Sequence, residues 1–494
     1  MPQTPTSRFF KTLASHTLIF GLSTLVRPLS QLLLVRLHTN THFISIDDYA
    51  AWSLLQVALN IGIVVLNLGL ATAFFRYYLL AESETERRSV TTGSFNLTLF
   101  IAVIGSFLIF FGGGFWSKLL IGTDGYAVYA RDIAVAVFGN TLSIVPLAVL
   151  RAEGRGKLFV AFNLMRFVSI IALNAWFLIW LNLGLRGITL ALAITNIATA
   201  IMILPVLKGR LTKQNIFSFR TPFLRYGAPL VAVDLTFFLL NGIPQILLRL
   251  LQGTQEVAIF GFALKIAFIA QVGIIMPFNI AFAPHLFRAQ KEVGDPRPFF
   301  ARTMGYIWTI GAFTAISVHL FAPELAMLLG KDQFYQQAVP IVLWLVLSVL
   351  FYGIFIVFSS GANLKDKTWV FPLILLITAL IETVIGWGLI KSDNLVGAAE
   401  ATLSGYIILA LMTFFVNQKI YPISFPWSRI IHVTILTASI ILIAPVLNAE
   451  SSLWLRVLLV VSFPSLLFVS GYLDKGERDA LKRLVSKYLE GSRE

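Results

Sequence analysis

Arg220 to Ala267 reads RTPFLRYGAPLVAVDLTFFLLNGIPQILLRLLQGTQEVAIFGFALKIA. The stretch is apolar and is interrupted by Pro229 and Pro244. Two of its ionisable residues, Asp234 and Lys265, sit deep in apolar surroundings. It also echoes the start of the chain. Gln31-Leu-Leu-Leu-Val-Arg36 ends one apolar segment and Tyr49-Ala-Ala-Trp-Ser53 opens the next. Here Gln245-Ile-Leu-Leu-Arg249 ends a segment and Val257-Ala-Ile-Phe-Gly261 opens the next. The echo predicts two similar halves in one chain, the second opening with this stretch.

Composition sets the medium. The chain is 57% hydrophobic and 13% charged, against about 25% charged for a soluble domain. Its mean hydropathy is +0.82. A span needs roughly 20 apolar residues as a helix. Continuous rather than alternating apolarity selects helices over a barrel. The fold class expected is therefore an all-α polytopic membrane protein. In a soluble chain the net charge of +14 would point to nucleic acid, but here the excess Lys and Arg collect in short loops, so no nucleic-acid partner is expected. With no Cys there are no disulfides or thiolate metal sites. Met1 to Lys11 is polar and no small-residue cleavage site follows the first apolar segment, so no cleaved leader is expected.

About fourteen spans are predicted from window hydropathy. They cover residues 13–36, 50–76, 91–116, 127–150, 158–181, 187–207, 223–250, 257–283, 302–323, 336–360, 368–390, 395–417, 428–447 and 455–473. Placing the N-terminus in the cytoplasm puts most Lys and Arg on the inside, including Arg87 and Arg88, Arg151 to Lys157, Lys208 to Arg225 and Arg288 to Arg302. Both termini are then cytoplasmic. Ile216, Phe217 and Phe219 in the central loop, and Leu481, Leu484, Val485, Tyr488 and Leu489 in the tail, predict segments lying along the membrane surface.

A second piece of the repeat joins Arg151-Ala-Glu-Gly-Arg-Gly-Lys157 to Gly361-Ala-Asn-Leu-Lys-Asp-Lys367. The same offset joins Leu185-Arg-Gly-Ile188 to Leu395-Val-Gly-Ala398. Six helices per repeat return the chain to its starting side, so the copies run parallel, related by an axis along the membrane normal. The expected organisation is a six-helix bundle at 1–208, an interfacial linker at 209–222, a second bundle at 223–418, two additional helices at 428–473 and an amphipathic tail at 474–494.

A charge inside a span costs about 2.5–3.5 kcal/mol on insertion scales and normally faces protein or water. At 1.5 Å per residue, Arg27 lies roughly 20 Å and Arg166 roughly 12 Å from the cytoplasmic side. No Asp or Glu falls mid-span in the first half, so a cavity there would be cationic and suit a phosphate-bearing substrate. Arg166 could equally run along its helix to the near interface. Asp234 and Lys265 fall at similar depth on adjacent helices, either as a mutual ion pair or in contact with substrate. Glu382, near the middle of its helix, is a candidate proton or cation site or a neutral group at a helix contact. Gln31, Asn60, Asn67, Asn140, Asn163 and Asn174 add polar groups more often found gluing helices together. The histidines have no metal-ligand spacing, and no metal or cofactor is expected. Gly112-Gly-Gly114 reads as helix-end punctuation and is not followed by Lys-Ser/Thr, so no P-loop is present. With no loop carboxylate pair suited to glycosyl transfer, the chain is not expected to be an enzyme.

Five segments carry a family likeness: Tyr49-Ala-Ala-Trp-Ser53, Leu150-Arg-Ala-Glu-Gly-Arg155, Leu183-Gly-Leu-Arg-Gly-Ile188, Leu224-Arg-Tyr-Gly-Ala-Pro229 and Ala258-Ile-Phe-Gly261. On these the chain resembles the polysaccharide-export flippases of the Wzx type. They belong to the superfamily that also holds lipid II flippases and multidrug extruders. The resemblance covers about residues 10–420. It departs at Ala50 and Ala258, where Gly is common, and at Phe260, where Tyr is common. It implies two six-helix bundles facing each other across a V-shaped cavity. A polyprenyl-diphosphate-linked oligosaccharide would pass by alternating access across the bacterial inner membrane. Arg27, Arg166 and Lys265 would line the cavity, and Asp234 or Glu382 would serve an ion pair or a coupling ion. It also implies membrane lipids and other polysaccharide-assembly proteins as partners, and a monomer. The alternative within the superfamily is a cation-coupled multidrug extruder, which would want an acidic first-half cavity. A non-transporting scaffold is a third class, and the buried charges and the repeat argue against it.

Overall fold

The computed structural model describes residues 29–212, 220–279, 282, 295–365, 367–448 and 452–472; at 72, 220–230, 232–234, 236 and 237 it describes the backbone alone. Among the described residues the chain is helical, with no strand. In the first half, α1 (29–38) is followed by α2 Ile46–Asn67, α3 Leu70–Leu80, α4 Glu84–Phe111, α5 Gly113–Leu120, α6 Ala127–Leu142, α7 Ile144–Ala152, α8 Gly156–Ala175 and α9 Leu185–Ile203. The second half holds α10 Arg220–Leu251, α11 Thr254–Ala270, α12 Arg297–Leu320, α13 Ala322–Leu329, α14 Val339–Phe358, α15 Ser360–Leu364 and α16 Val370–Ile420, and then come α17 Trp427–Val446 and α18 Leu453–Val469.

Nine helical stretches are long and apolar enough to cross a membrane among the described residues, and α12 with α13, bent by 69°, makes ten. The 51-residue α16 is two arms, because Asp393 and Asn394 leave helical geometry, Asn394 at φ 43. The break falls between the expected spans 368–390 and 395–417. Each later expected span overlaps a described helix. Of the first span, 13–36, only its end is described.

Besides 302–323, which runs across the bend from α12 into α13, other expected spans are not single helices. Residues 50–76 are broken where Leu68 and Gly69 both take positive φ, 45 and 64, which interrupts the hydrogen-bond ladder between α2 and α3. Gly112 ends α4 before α5, and Ser143 separates α6 from α7. Starts are capped. Ser45 accepts from the Asp48 N–H at 3.1 Å, with Asp47 and Asp48 in the positive first turn of α2. Ser83 does the same for α4 through the Glu86 N–H.

One buried apolar cluster crosses between the halves, joining Leu54 and Leu55 of α2 to Phe260 and Ala263 of α11 and Ile341 of α14. A separate cluster knits α3, α4 and α7 around Phe74 and Val149. At Gly139 an added Cβ would lie 2.6 Å from the Asn196 carbonyl carbon, so the missing side chain is what lets α6 meet α9 backbone to backbone. The last two helices pack on α12, where Ile316 and Leu320 meet Val433, Ile440 and Phe463. Trp308 donates to Thr434 Oγ1 at 3.0 Å, and Arg456 pairs with Glu324 on α13. The central-loop and tail surface segments, Ile216 to Phe219 and Leu481 to Leu489, lie outside the described residues.

Candidate functional site

The two halves are joined by hydrogen bonds that begin on one face of the bundle, called here the Thr39 face. Thr41 Oγ1 donates to Asp332 Oδ2 at 2.8 Å, and Thr254 Oγ1 donates to Asp47 Oδ1 at 2.5 Å. Arg36 donates to the carbonyls of Met327 and Leu328, at 3.1 and 2.6 Å, across the same seam. Asp332 also accepts from the Phe334 N–H, which with Thr41 holds its carboxyl below the usual carboxylate range. Tyr49 and Tyr335 meet edge to face, ring centroids 5.2 Å apart.

Further along, Ser53 Oγ donates to Gln245 Oε1 at 2.6 Å, and Lys265 Nζ donates to Gln56 Oε1 at 2.6 Å. Gln56 stands ten residues into α2, about 15 Å along it, which is near the middle of a hydrocarbon core about 30 Å thick. Beside these bonds Gly261 approaches Ser53 so closely that an added Cβ would lie 2.8 Å from Ser53 Cβ and nearer still to its Oγ. Ser53 and Gly261 close the two echoing motifs Tyr49–Ser53 and Val257–Gly261, so matched positions of the repeat face each other across the seam.

A cavity of about 550 Å³ opens around and beyond the Lys265–Gln56 bond, lined by α2, α10, α11 and α14. Its wall carries Gln31, Asn60, Asn241, Gln271 and Asn279 as well as Lys265. A smaller one of about 90 Å³ lies among α1, α2, α8 and α9, and it holds Arg166, His38, Asn174 and Asn196. Lys265 reaches its wall too. Arg166 donates to Asn196 Oδ1 across from α8 to α9 instead of running along α8 to the interface. His38 Nε2 and Asn174 Oδ1 are 2.9 Å apart. No Asp or Glu lines either cavity among the described residues.

Of the expected site residues, then, Arg166 and Lys265 share one wall. Arg27 lies outside the described residues. Asp234 falls on α10, one turn before the cavity-lining Phe238, but its side chain is outside the description, and so is the expected pair with Lys265. The partner seen for Lys265 is Gln56. Glu382 is set apart. It lines neither cavity, is 0% exposed, and neither of its oxygens has a hydrogen-bond partner among the described residues. Its carboxyl fills the space left by Gly405, where a Cβ would lie 2.8 Å from Glu382 Cδ.

Sequence reasoning passed over Gln56 and Gln271 and valued Gln245 only as part of an echo. A signal was present: Gln56/Asn60 and Asn241/Gln245 are carboxamides four apart in apolar helices, which places each pair on one face. Among the described residues, no group of three or more His, Cys, Asp or Glu side chains could hold a metal ion.

Residues 13–290 match the family described as Polysaccharide biosynthesis protein. The chain belongs to that family. No curated protein sequence matches it. Among solved structures it is similar to "Lipid II flippase MurJ, inward closed conformation", with TM-score 0.72 at 12% identity over 92% of this chain and 99% of that one. It is also similar to an inward-facing multidrug resistance MATE family transporter of the MOP superfamily, with TM-score 0.64 at 18% identity over 83% and 95%. A third likeness is to a mutant of the Vibrio cholerae MATE transporter VcmN, with TM-score 0.61 at 19% identity over 84% and 98%. At such identities these likenesses show the fold alone, the one these flippase and transporter structures share; its long apolar helices make the chain a multi-pass membrane protein.

Proposed function

We propose that this polysaccharide biosynthesis protein carries a polyprenyl-diphosphate-linked oligosaccharide across the bacterial inner membrane by alternating access, with the Thr39 face outward and both termini in the cytoplasm. The carrying observation is the wall chemistry: carboxamides with Arg166 and Lys265, and no carboxylate among the described lining residues. Guanidinium and ammonium groups suit a diphosphate. Carboxamides suit sugar hydroxyls, since each offers both a donor and an acceptor. An organic cation would find no counter-charge on the described part of this wall, which disfavours the multidrug reading. The lipid tail stays in the bilayer while the head moves. The bonds on the Thr39 face close the outer exit, and their breaking as the opposite face closes completes a cycle. Glu382 and Asp234 are the candidate coupling sites for a proton or cation.

The test is translocation of the lipid-linked oligosaccharide in proteoliposomes, comparing wild type with Lys265→Ala and Arg166→Ala at matched reconstitution. A hydrogen bond to a charged group contributes about 1.5–3 kcal/mol, so each variant is expected to slow translocation about ten- to hundredfold. If wild type moves no such lipid but exports cationic dyes under a proton gradient, the extruder reading replaces this one.

A further inference from the structure

Gln271 stands where α11 changes its winding. Residues Gln271–Ile275 form a π-turn, and the helix then runs on to Asn279. Such turns are rare and recur at functional sites, because the extra residue re-aims the side chains around it. Gln271 is 6% exposed and lines the larger cavity, with Asn60, Asn241 and Asn279 on the same wall. Its neighbours on this wall are bonded: Gln56 accepts from Lys265, and Gln245 accepts from Ser53 and donates to the Asn241 carbonyl. The Gln271 Oε1, by contrast, is buried with no partner among the described residues.

A buried amide oxygen without a donor is costly, by more than a finished hydrogen bond returns. Gln271 is on the cavity wall, where rotation about its last side-chain bond re-aims that oxygen. There it can be satisfied by a donor that arrives with the cargo. A diphosphate is an acceptor and cannot supply one. The hydroxyls and acylamino N–H groups of a sugar can. Carboxamides line both cavities and Lys265 reaches both, while Arg166 lines the smaller one and Gln271 the larger.

We infer that Gln271 is a specificity-determining residue that accepts a hydrogen bond from the sugar portion of the cargo, so that the larger cavity selects lipid diphosphates bearing uncharged, hydroxyl-rich or N-acylated sugars. This rests on the function proposed above. It adds which part of the cargo is read, and by which side chain.

The experiment compares two probes in proteoliposomes: a polyprenyl diphosphate carrying a neutral trisaccharide, and the same polyprenyl diphosphate without sugar. Wild type is expected to move the sugar-bearing lipid faster at limiting concentration. In Gln271→Leu that preference falls about three- to tenfold, the worth of one neutral hydrogen bond, while the rate for the sugar-free lipid is unchanged. Gln271→Met, unbranched and of similar length, is measured in parallel so that either folded variant gives the answer. The readout is a ratio within one sample, and a merely structural role would lower both rates together and leave it fixed. An unchanged ratio in the folded variants overturns the inference, as does a wild type that moves both lipids equally. A wild type that moves neither lipid overturns the proposed function itself, and with it this inference.

Discussion

The seam between the halves and the interior of the second half handle polar groups in opposite ways. Along the seam the polar side chains are paired across the boundary: Thr41 with Asp332, Ser53 with Gln245, Gln56 with Lys265. Inside the second half, Glu382 is fully buried against Gly405 with both oxygens unpartnered among the described residues. Its helix arm shows why. Thr378, Glu382 and Gly386 recur four apart and are buried, while Leu376, Leu380 and Val384 recur four apart on the exposed side. Hydrogen bonds at a boundary can be exchanged for water at small net cost, so these polar pairs add to the apolar cluster that crosses between the halves without locking it. An interior that stays closed gives a lone carboxyl no such relief.

The largest test of this contrast is at Gly261. In Gly261→Val the new side chain would run into Ser53, and overpacking of this kind costs about 1–3 kcal/mol. The melting temperature in detergent should fall, and Ser53→Gly in the same chain should restore part of it. A double-mutant cycle with no coupling would mean the seam is not closed in solution as it is here.

A comparable change of opposite sign is expected at Glu382. Replacing it by Leu removes two buried oxygens that have no partner among the described residues, so stability should rise by up to about 1–3 kcal/mol. Any response of transport to an imposed proton or cation gradient that depends on this carboxyl should vanish with it. A loss of stability in Glu382→Leu would show instead that something satisfies the carboxyl, and the contrast with the seam would fail.

The smallest effect is expected at Asp332. Its carboxyl is held below the usual range, first by the Phe334 N–H and then by the Thr41 hydroxyl, so the folded state favours the ionised form. The bond to Thr41 is therefore intact above the unfolded carboxyl's value of about 3.9 and weakens as pH falls below it. Accessibility of a probe attached near Thr41 should rise in that acid window in wild type and be nearly flat with pH in Asp332→Asn. The side chains are exposed, so the shift in the population of the open seam should be small.

Much of this was legible in the chain. Hydropathy placed the helices because the bilayer permits little else, and even the break at Asp393 and Asn394 fell between two expected spans. The echo of Gln31 and Gln245 pointed at two positions that both line the cavity. Arg166 and Lys265 stood out because charges in apolar helices are few. Gly112-Gly-Gly114 read as helix-end punctuation, and Gly112 does end α4; the breaks at Leu68–Gly69 and Ser143 did not announce themselves, since each lies inside an unbroken apolar run and depends on how neighbouring helices cross.

The sequence by itself determined the medium, the helical class, the approximate spans and the short list of intramembrane charges, all properties of one segment at a time. Tertiary structure alone decided that Lys265 meets Gln56, that Arg166 turns to Asn196, that Glu382 lines neither of the two cavities, and that Gln271 keeps an acceptor unpartnered among the described residues. Each of those depends on which face of one helix meets which face of another. Packing between distant segments sets that, and no local periodicity records it.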